Sequence, residues 1–467
     1  MVISVPQELV SLAQIFKKNK EKLYLVGGFV RNKILGINDK YNLDIDVCSS
    51  ALPEKVMKML EGTEFSCAYM NKEIGVLEIQ NKIRVEHATF RTEKYEFEGV
   101  HIPNNVEFIK DLNKDAKRRD FKCNAIYYDI LEEEIIDPFD GVKDINNKII
   151  STTIEPEKVF ALDGERILRM VRFASTFGFE IDPKTYKEAK KNVSKLKMIS
   201  KSRIREEFSK IVLADTKYPF LPDVKYAHAR GLMMLADLDA IKYILPAVDM
   251  ILKNPMYEDR GKLLIDHIMN VFALSQPEVR LSALLHDVGK AKAMIEYGNF
   301  NGGTDFAPVI IEQNLGIDGL GYSKKIVERV KRVVLAQDFN KYGTEIAKNI
   351  KKFIIQNKQD IELILALKVA INLDRNGKRE MPFGTYRIYK IYKHMQKNKT
   401  PFSLSELNID GNDILNSFPK IKSEKIGNLL NYLLAKSQMK PRLNTKAKLI
   451  KLCEKQINKD LEEYMEK

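Results

Sequence analysis

The sequence predicts an α+β domain of mixed sheet and helix at the N-terminus, followed by an all-helical remainder. Period-two and short apolar runs bounded by turn residues are confined to roughly the first 150 positions. From about Pro156 apolar residues recur at helical spacing, over Val159–Phe177, Tyr186–Val212, Leu263–Leu285 and Ile361–Leu373. The 467 residues carry 44% hydrophobic content, enough apolar material for several cores.

Taken in order, Leu23–Val26 reads as a buried strand entering a tight turn at Gly27-Gly28, and Leu43–Val47 alternates strictly. Val76–Ile79 and Ile83–Glu86 are further strands, with Asn81-Lys82 as the hairpin turn between them. Ala125–Ile130 and Glu134–Ile136 form another pair. The change to helical spacing marks a domain boundary. The expected division is a sheet domain over 1–155, a helical segment over 156–258, a second over 259–376 and a basic helical tail over 377–467.

The formal net charge is +13, which favours a polyanionic partner, although a solvated lysine-rich surface gives the same number. The four cysteines form no C-x-x-C pair and none clusters with histidine, so neither a disulfide framework nor a zinc ribbon is expected. No apolar run reaches the roughly 18 residues needed to span a bilayer, and no signal peptide is visible. A soluble, cytoplasmic protein with no membrane association is expected.

The chemistry centres on Asp44-Ile45-Asp46. On a strand, residues i and i+2 share a face, so the two carboxylates converge while Ile45 packs behind them. Paired carboxylates repel unless a cation lies between them, and Mg²⁺ is the hard, oxygen-ligated candidate. Some 15 residues earlier, Gly27-Gly28 precedes Arg31 at the start of a helix, a turn whose N–H groups and guanidinium suit a phosphate. Glu86, on a later strand, is either a third catalytic carboxylate or a surface residue. His87, beside it, reads as packed or hydrogen-bonded rather than as a ligand. Arg118-Arg119-Asp120-Phe121, with Asn124 following, places adjacent cations ahead of a strand; this suits triphosphate binding, and a solvated basic turn reads the same way.

Four segments then carry a resemblance: Val26–Arg31, Leu43–Asp46, Arg118–Ala125 and Asp163–Phe173. In order and spacing they resemble the class II tRNA nucleotidyltransferases, or CCA-adding enzymes, and the related bacterial poly(A) polymerases. The resemblance covers roughly the first 250 residues. It implies a palm-like catalytic domain followed by a helical neck, body and tail. It also implies Mg²⁺-dependent addition of CCA to the 3′ acceptor end of tRNA from CTP and ATP. Residues 91–111 span the segment where a flexible loop governing the C-to-A switch would lie. Two departures stand out: Asn32 where family members usually carry Asp, and Leu162 where they usually carry Glu.

Asp163, Arg166, Arg169 and Arg172 recur every three residues and are expected on one helix face. They are either a solvated ion-paired stripe or a protein template for the incoming base. A carboxylate accepts from cytosine N4 or adenine N6 and a guanidinium donates to the adjacent ring nitrogen, whereas uracil and guanine present the reverse. Arg169 and Arg172 would then hold phosphates or brace the reading pair. The stretch Lys184–Lys210 is lysine-rich and suits RNA phosphates.

His286-Asp287 closes an apolar helix and His267 lies 19 residues earlier, which resembles the HD metal-dependent phosphohydrolases. The glycine-rich stretch Phe300–Asp305 lacks the histidine that many such segments carry, and the distal aspartate could be Asp374. The expectation is a helical body with a weakened or lost site. Alternatives to CCA addition are a poly(A) polymerase, a CC- or A-adding specialist, an HD phosphohydrolase with a nucleotide-binding N-terminal domain, and a non-catalytic RNA-binding protein.

Overall fold

A computed structural model describes residues 2–38, 44–94, 105–257, 261–339, 346–377, 381–459 and 464. Leu43, residues 95–104 of the expected flexible loop and the expected boundary at 258/259 lie outside the described residues. The chain forms two compact units: Met1–Asn254 with Glu312–Tyr322, and Pro255–Ile311 with Ser323–Lys467. A mixed sheet with helices at the N-terminus gives way to a mostly helical remainder, as the period change indicated.

In the first unit the strands are β1 (Tyr24–Val26), β2 (Asp46–Ser49), β3 (Ser66–Asn71), β4 (Val76–Gln80), β5 (Arg84–Thr89), β6 (Arg91–Lys94), β7 (Asn105–Phe108), β8 (Tyr127–Asp129) and β9 (Glu134–Ile136), with a short parallel pair, β10 (Ile149–Ile150) and β11 (Glu180–Ile181), beyond them. Seven of them form one sheet in the order β3-β4-β5-β2-β1-β8-β9, and β6 pairs with β7 separately. Only β2 and β5 run parallel within the large sheet. Their register matters most: Val26 lies opposite Asp46, and Asp46 opposite Glu86, so one row across the sheet ends in the glycine turn on one side and two carboxylates on the other. Alternation explains the core: Leu25, Val47, Leu77, Ile79 and Val85 are buried, as are Leu9, Leu12 and Phe16 of the helix Gln7–Lys18. His87 is fully buried against Phe16, bonded to the Ser49 hydroxyl at 2.8 Å, and burial drives its pKa down to about 3. It is a neutral core residue, as expected.

The helical part of this unit is organised around Glu165–Phe177, whose Ile167, Leu168, Met170, Val171, Ala174 and Phe177 are buried. It packs against Lys201–Val212 and Ala227–Asp237. Gly231 allows that approach: a Cβ there would sit 2.6 Å from Ile211 Cγ2 and 2.7 Å from Ser175 Oγ. The single helix expected over Val159–Phe177 is two, Pro156–Leu162 and Glu165–Phe177, broken at Asp163-Gly164. The residue that leaves the helical conformation is Asp163, and at Gly164 a side chain would come within 2.8 Å of the Lys195 backbone, so two chain segments meet at the break.

The second unit is helical. It includes Leu264–Leu274, Arg280–Leu285, Val288–Tyr297, Lys324–Ala336, Ile361–Asn376 and Phe383–Lys397. Leu407, Ile414, Leu429, Leu433, Leu449 and Cys453 form a separate apolar core in its last part. No helix among the described residues is long and apolar enough to cross a membrane.

Candidate active site

The first unit contains a cleft of about 1120 Å³ lined by all twelve residues that the sequence nominated in this half: Gly28, Arg31, Asp44, Asp46, Glu86, Arg118, Arg119, Asn124, Asp163, Arg166, Arg169 and Arg172. Its floor is the end of the sheet. Gly27 takes φ +73°, which only glycine adopts easily, and a Cβ there would lie 3.3 Å from Asp46 Oδ2. The turn backbone and the carboxylate thus occupy adjoining space. Asp46 is the first residue of β2, so Asp44 and Ile45 precede the strand rather than lie within it. The ladder is nevertheless extended by one bond, from Glu86 N–H to the Ile45 carbonyl at 2.9 Å.

Burial raises the Asp46 pKa; Asp44 adds to the rise and Arg119 opposes it. Burial and the Asp46 charge raise Glu86 likewise. No hydrogen-bond donor or ion-pair partner reaches the carboxylates of Asp44, Asp46 or Glu86 among the described residues. Partly buried, mutually repelling and unsatisfied, this donor set suits a divalent cation. The three carboxylates do not form one tight ligand cluster.

The cations of the cleft are arranged differently. Arg119 meets Asp115 at 3.4 Å and donates to the Tyr127 hydroxyl at 3.0 Å; Arg118 donates to Asp115 at 2.8 Å. Arg91 is bonded to Glu93 at 2.9 Å, Arg84 to Glu78 at 2.6 Å and Arg203 to Glu165 at 3.1 Å. Arg169 binds Asp120 through two nitrogens, at 2.7 and 2.5 Å, and Arg172 and Lys210 both hold Glu207, at 2.6 and 3.0 Å. Burial would raise the Asp120 carboxyl, but Arg169, the Asn124 hydrogen bond and Arg166 together hold it down at about 2. Both guanidinia are thus held by acidic side chains of the protein itself.

Arg31 and Asn124 tie the glycine turn to this layer. Arg31 Nη1 donates to Asn124 Oδ1 at 2.5 Å, and Asn124 Nδ2 donates to Asp120 Oδ1 at 3.0 Å. Arg31 Nε and Nη2 donate to Asn32 Oδ1, and its guanidinium lies over Phe177, 4.4 Å from the ring centroid. Asn32 Nδ2 in turn donates to the Tyr218 hydroxyl at 3.0 Å. An amide can accept from Arg31 and donate to Tyr218 at once, so the departure from Asp at this position leaves the hydrogen bonding intact.

Asp163 is not on the helix face with the three arginines. It lies in the break before it, with extended backbone, its Oδ1 accepting from the Glu165 N–H at 2.9 Å. Arg166 Nη2 donates to the Arg118 carbonyl at 2.8 Å, and its Nε lies 3.8 Å from Asp163 Oδ2. Both members of the expected reading pair are buried yet line the cleft. Sequence reasoning assigned no role to Asp120, Asp115, Glu93, Glu207 or Tyr218. Asp120 was legible as part of the Arg118–Asn124 segment; Glu207 and Tyr218 approach from sequence positions that carry no motif.

In the second unit His267, His286 and Asp287 form the one such metal-ligand cluster among the described residues, all buried. His286 Nδ1 donates to the Ala283 carbonyl at 2.7 Å, and His267 Nδ1 faces the Asp374 carboxylate at 2.6 Å. Both Nε2 atoms therefore turn lone pairs toward each other at 3.1 Å, with Asp287 Oδ2 3.5 and 3.9 Å away. That geometry asks for a cation. Asp374 is not a fourth member: it stands behind His267 and is also held by Lys262 at 2.5 Å. Lys290 lies 2.7 Å from Asp287.

Residues 23–151 match a family described as "Poly A polymerase head domain", and residues 178–222 one described as "Probable RNA and SrmB- binding site of polymerase A". A CCA-adding enzyme of Geobacillus sp. (strain WCH70) is 36% identical over 207 residues, 44% of this chain and 49% of that protein. The CCA-adding enzyme of Lactobacillus helveticus (strain DPC 4571) is 40% identical over 188 residues, 40% of this chain and 45% of that one. The chain thus spans about half the length of these curated relatives. The fold likeness extends further: the Bacillus stearothermophilus CCA-adding enzyme in complex with CTP superposes with a TM-score of 0.65 at 22% identity, covering 97% of this chain and 98% of that one. The Thermotoga maritima CCA-adding enzyme complexed with tRNA gives 0.52 at 18% identity, covering 93% and 92%.

Proposed function

We propose that this protein adds C, C and A to the 3′ end of tRNA, taking CTP and ATP as substrates in a metal-dependent nucleotidyl transfer. The observation that carries this reading is the single cleft in which the glycine turn, the carboxylates, the arginine layer and the Asp163–Arg166 pair converge. Similarity to CCA-adding enzymes over 44% of the chain and in fold supports it.

In this reading Asp44 and Asp46 would hold Mg²⁺, which would supply charge neutralisation at the triphosphate. Glu86 stands ready to take the hydroxyl proton, its pKa lifted toward the working range. The Gly27-Gly28 turn and Arg31 receive phosphate oxygens. Arg118 and Arg119 do the same from the facing wall, held by Asp115. Asp163 and Arg166 read the amino-donor and ring-acceptor edge that cytosine and adenine share. Arg169 and Arg172, locked to Asp120 and Glu207, keep that pair in place. Residues 1–155 supply catalysis and 156–258 base reading and RNA contact, with 259–376 and 377–467 as body and tail. Four cysteines free of disulfides suit the reducing cytosol.

The deciding experiment supplies a tRNA transcript lacking its CCA end with all four nucleoside triphosphates. Addition of C, C and A followed by arrest is expected, weakening steeply with salt as phosphate contacts release counterions. Long adenosine tails on unstructured RNA without CTP use would instead identify a poly(A) polymerase, the reading favoured by the name of the head-domain family. A single A on tRNA ending in CC, with none on tRNA lacking it, would identify an A-adding specialist. His267, His286 and Asp287 hold a divalent cation in the second unit. With Asp374 engaged by Lys262 and His267, phosphohydrolysis there is weak or absent.

A further inference from the structure

We propose that Lys217 is the acid that protonates the departing pyrophosphate. This rests on the nucleotidyl-transfer reading above and adds a catalytic residue to it. The starting point is an asymmetry in the cleft wall. Every arginine lining the cleft, and Lys210, is bonded to a carboxylate, amide, hydroxyl or carbonyl oxygen of the protein, as described above. Lys217 lines the same cleft, and no oxygen of a described residue lies within bonding distance of its ammonium. Its recorded contact is with the ring of its neighbour Tyr218, 5.5 Å from the centroid. A cation that the protein leaves without an oxyanion, in a cleft that pairs all the others, is positioned for one that arrives with the substrate.

Its placement is built. Lys217 ends the short helix Ala214–Lys217. The next residue, Tyr218, is fully buried, stacked on Phe177 at 5.6 Å and hydrogen-bonded to Asn32, one residue beyond Arg31. The lysine backbone is thereby pinned to the helix that follows the glycine turn, on the phosphate side of the cleft. The charged groups coupled to it are Arg172, Arg31, Asp44 and Lys210. Burial first, then Arg172 and Arg31, lower its pKa and make the proton easier to give. The residue type also matters, because an arginine in this position holds its proton at any working pH.

The balanced step is as follows. The RNA 3′-oxygen forms a bond to the α-phosphorus and the α-phosphorus–oxygen bond to the β-phosphate breaks. The hydroxyl proton passes to a carboxylate or water. The Lys217 ammonium gives a proton to the oxygen that leaves on pyrophosphate and is reprotonated from solvent.

The test compares wild type, Lys217→Arg and Lys217→Gln in single-turnover addition to tRNA lacking CCA. CTP and its β,γ-methylene and β,γ-difluoromethylene analogues supply leaving groups of different basicity. The expected result for Lys217→Arg is CTP affinity within a few-fold of wild type and a rate lower by ~100-fold. Its rate should also depend more steeply on leaving-group basicity than that of wild type and lose the wild-type limb at alkaline pH. Lys217→Gln should show the same steep dependence with weaker CTP binding. Equal leaving-group dependence in all three proteins, or a wild-type rate in Lys217→Arg, overturns the assignment while nucleotide addition by wild type stands. No addition by wild type overturns the nucleotidyl-transfer reading itself, and Lys217 with it.

Discussion

Replacing Asp120 with asparagine tests the idea that the arginine layer is braced from within. The side chain is nearly isosteric, and its remaining oxygen can still accept from the Phe121 N–H, which Asp120 Oδ1 now receives at 2.8 Å. What disappears is the charge facing Arg169. The Asp120 carboxyl falls from 3.8 to about 2 on folding, and at 1.36 kcal/mol per pKa unit that corresponds to roughly 2 kcal/mol at neutral pH. Because the folded value is the lower one, this contribution is complete above about pH 4, declines as pH falls toward 2 and is absent below it. For a unit of this size the loss corresponds to a melting shift of roughly 4–8 °C. Scanning calorimetry of wild type and Asp120→Asn should show the first unit's transition lowered by that amount at pH 7, the second unit's unchanged, and the gap narrowing below pH 4. Coincident transitions at pH 7, or a gap that persists undiminished at pH 3, would refute the reasoning.

Three other outcomes follow from the same geometry. Asp46→Ala should abolish incorporation while the circular dichroism spectrum is retained; near wild-type turnover would sink the metal assignment. Asp163→Ala should raise use of UTP and GTP relative to CTP and ATP by about 5- to 150-fold, because a good bidentate base contact discriminates by ~1–3 kcal/mol; unchanged ratios for all four nucleotides would remove the template role. Mn²⁺ or Ni²⁺ should bind the second unit in equilibrium dialysis and be lost in His286→Ala, with little phosphate released from a 2′,3′-cyclic nucleotide; robust, metal-dependent release would show that the site is intact.

Much of the sheet was legible because its strands alternate around buried positions: Tyr24–Val26, Val76–Gln80 and Arg84–Thr89 lie within a residue or three of their expected bounds. The edge strand Ser66–Asn71 was not read, since it alternates between exposed and half-buried residues and shows no apolar period. The nominated cleft residues were visible as motifs because short loops leaving adjacent strands must meet at one sheet end. Their partners were hidden for the converse reason. Glu207 reaches Arg172 across 35 residues, and nothing in the intervening periodicity announces the pairing. The break at Asp163-Gly164 was missed because apolar spacing continues through it, while the backbone turns extended at Asp163.

Most of the cleft's arginines carry their counter-charges with them. A wall of this kind presents fixed dipoles more than a net field, and its pairs, many under 3 Å and partly dry, are poorly screened by dissolved salt. Long-range attraction of a polyanion must then come from solvated lysines elsewhere on the molecule, while selection inside the cleft is left to shape and hydrogen-bond direction. Ionic strength accordingly acts as a handle on the capture of RNA and hardly at all on the choice between bases.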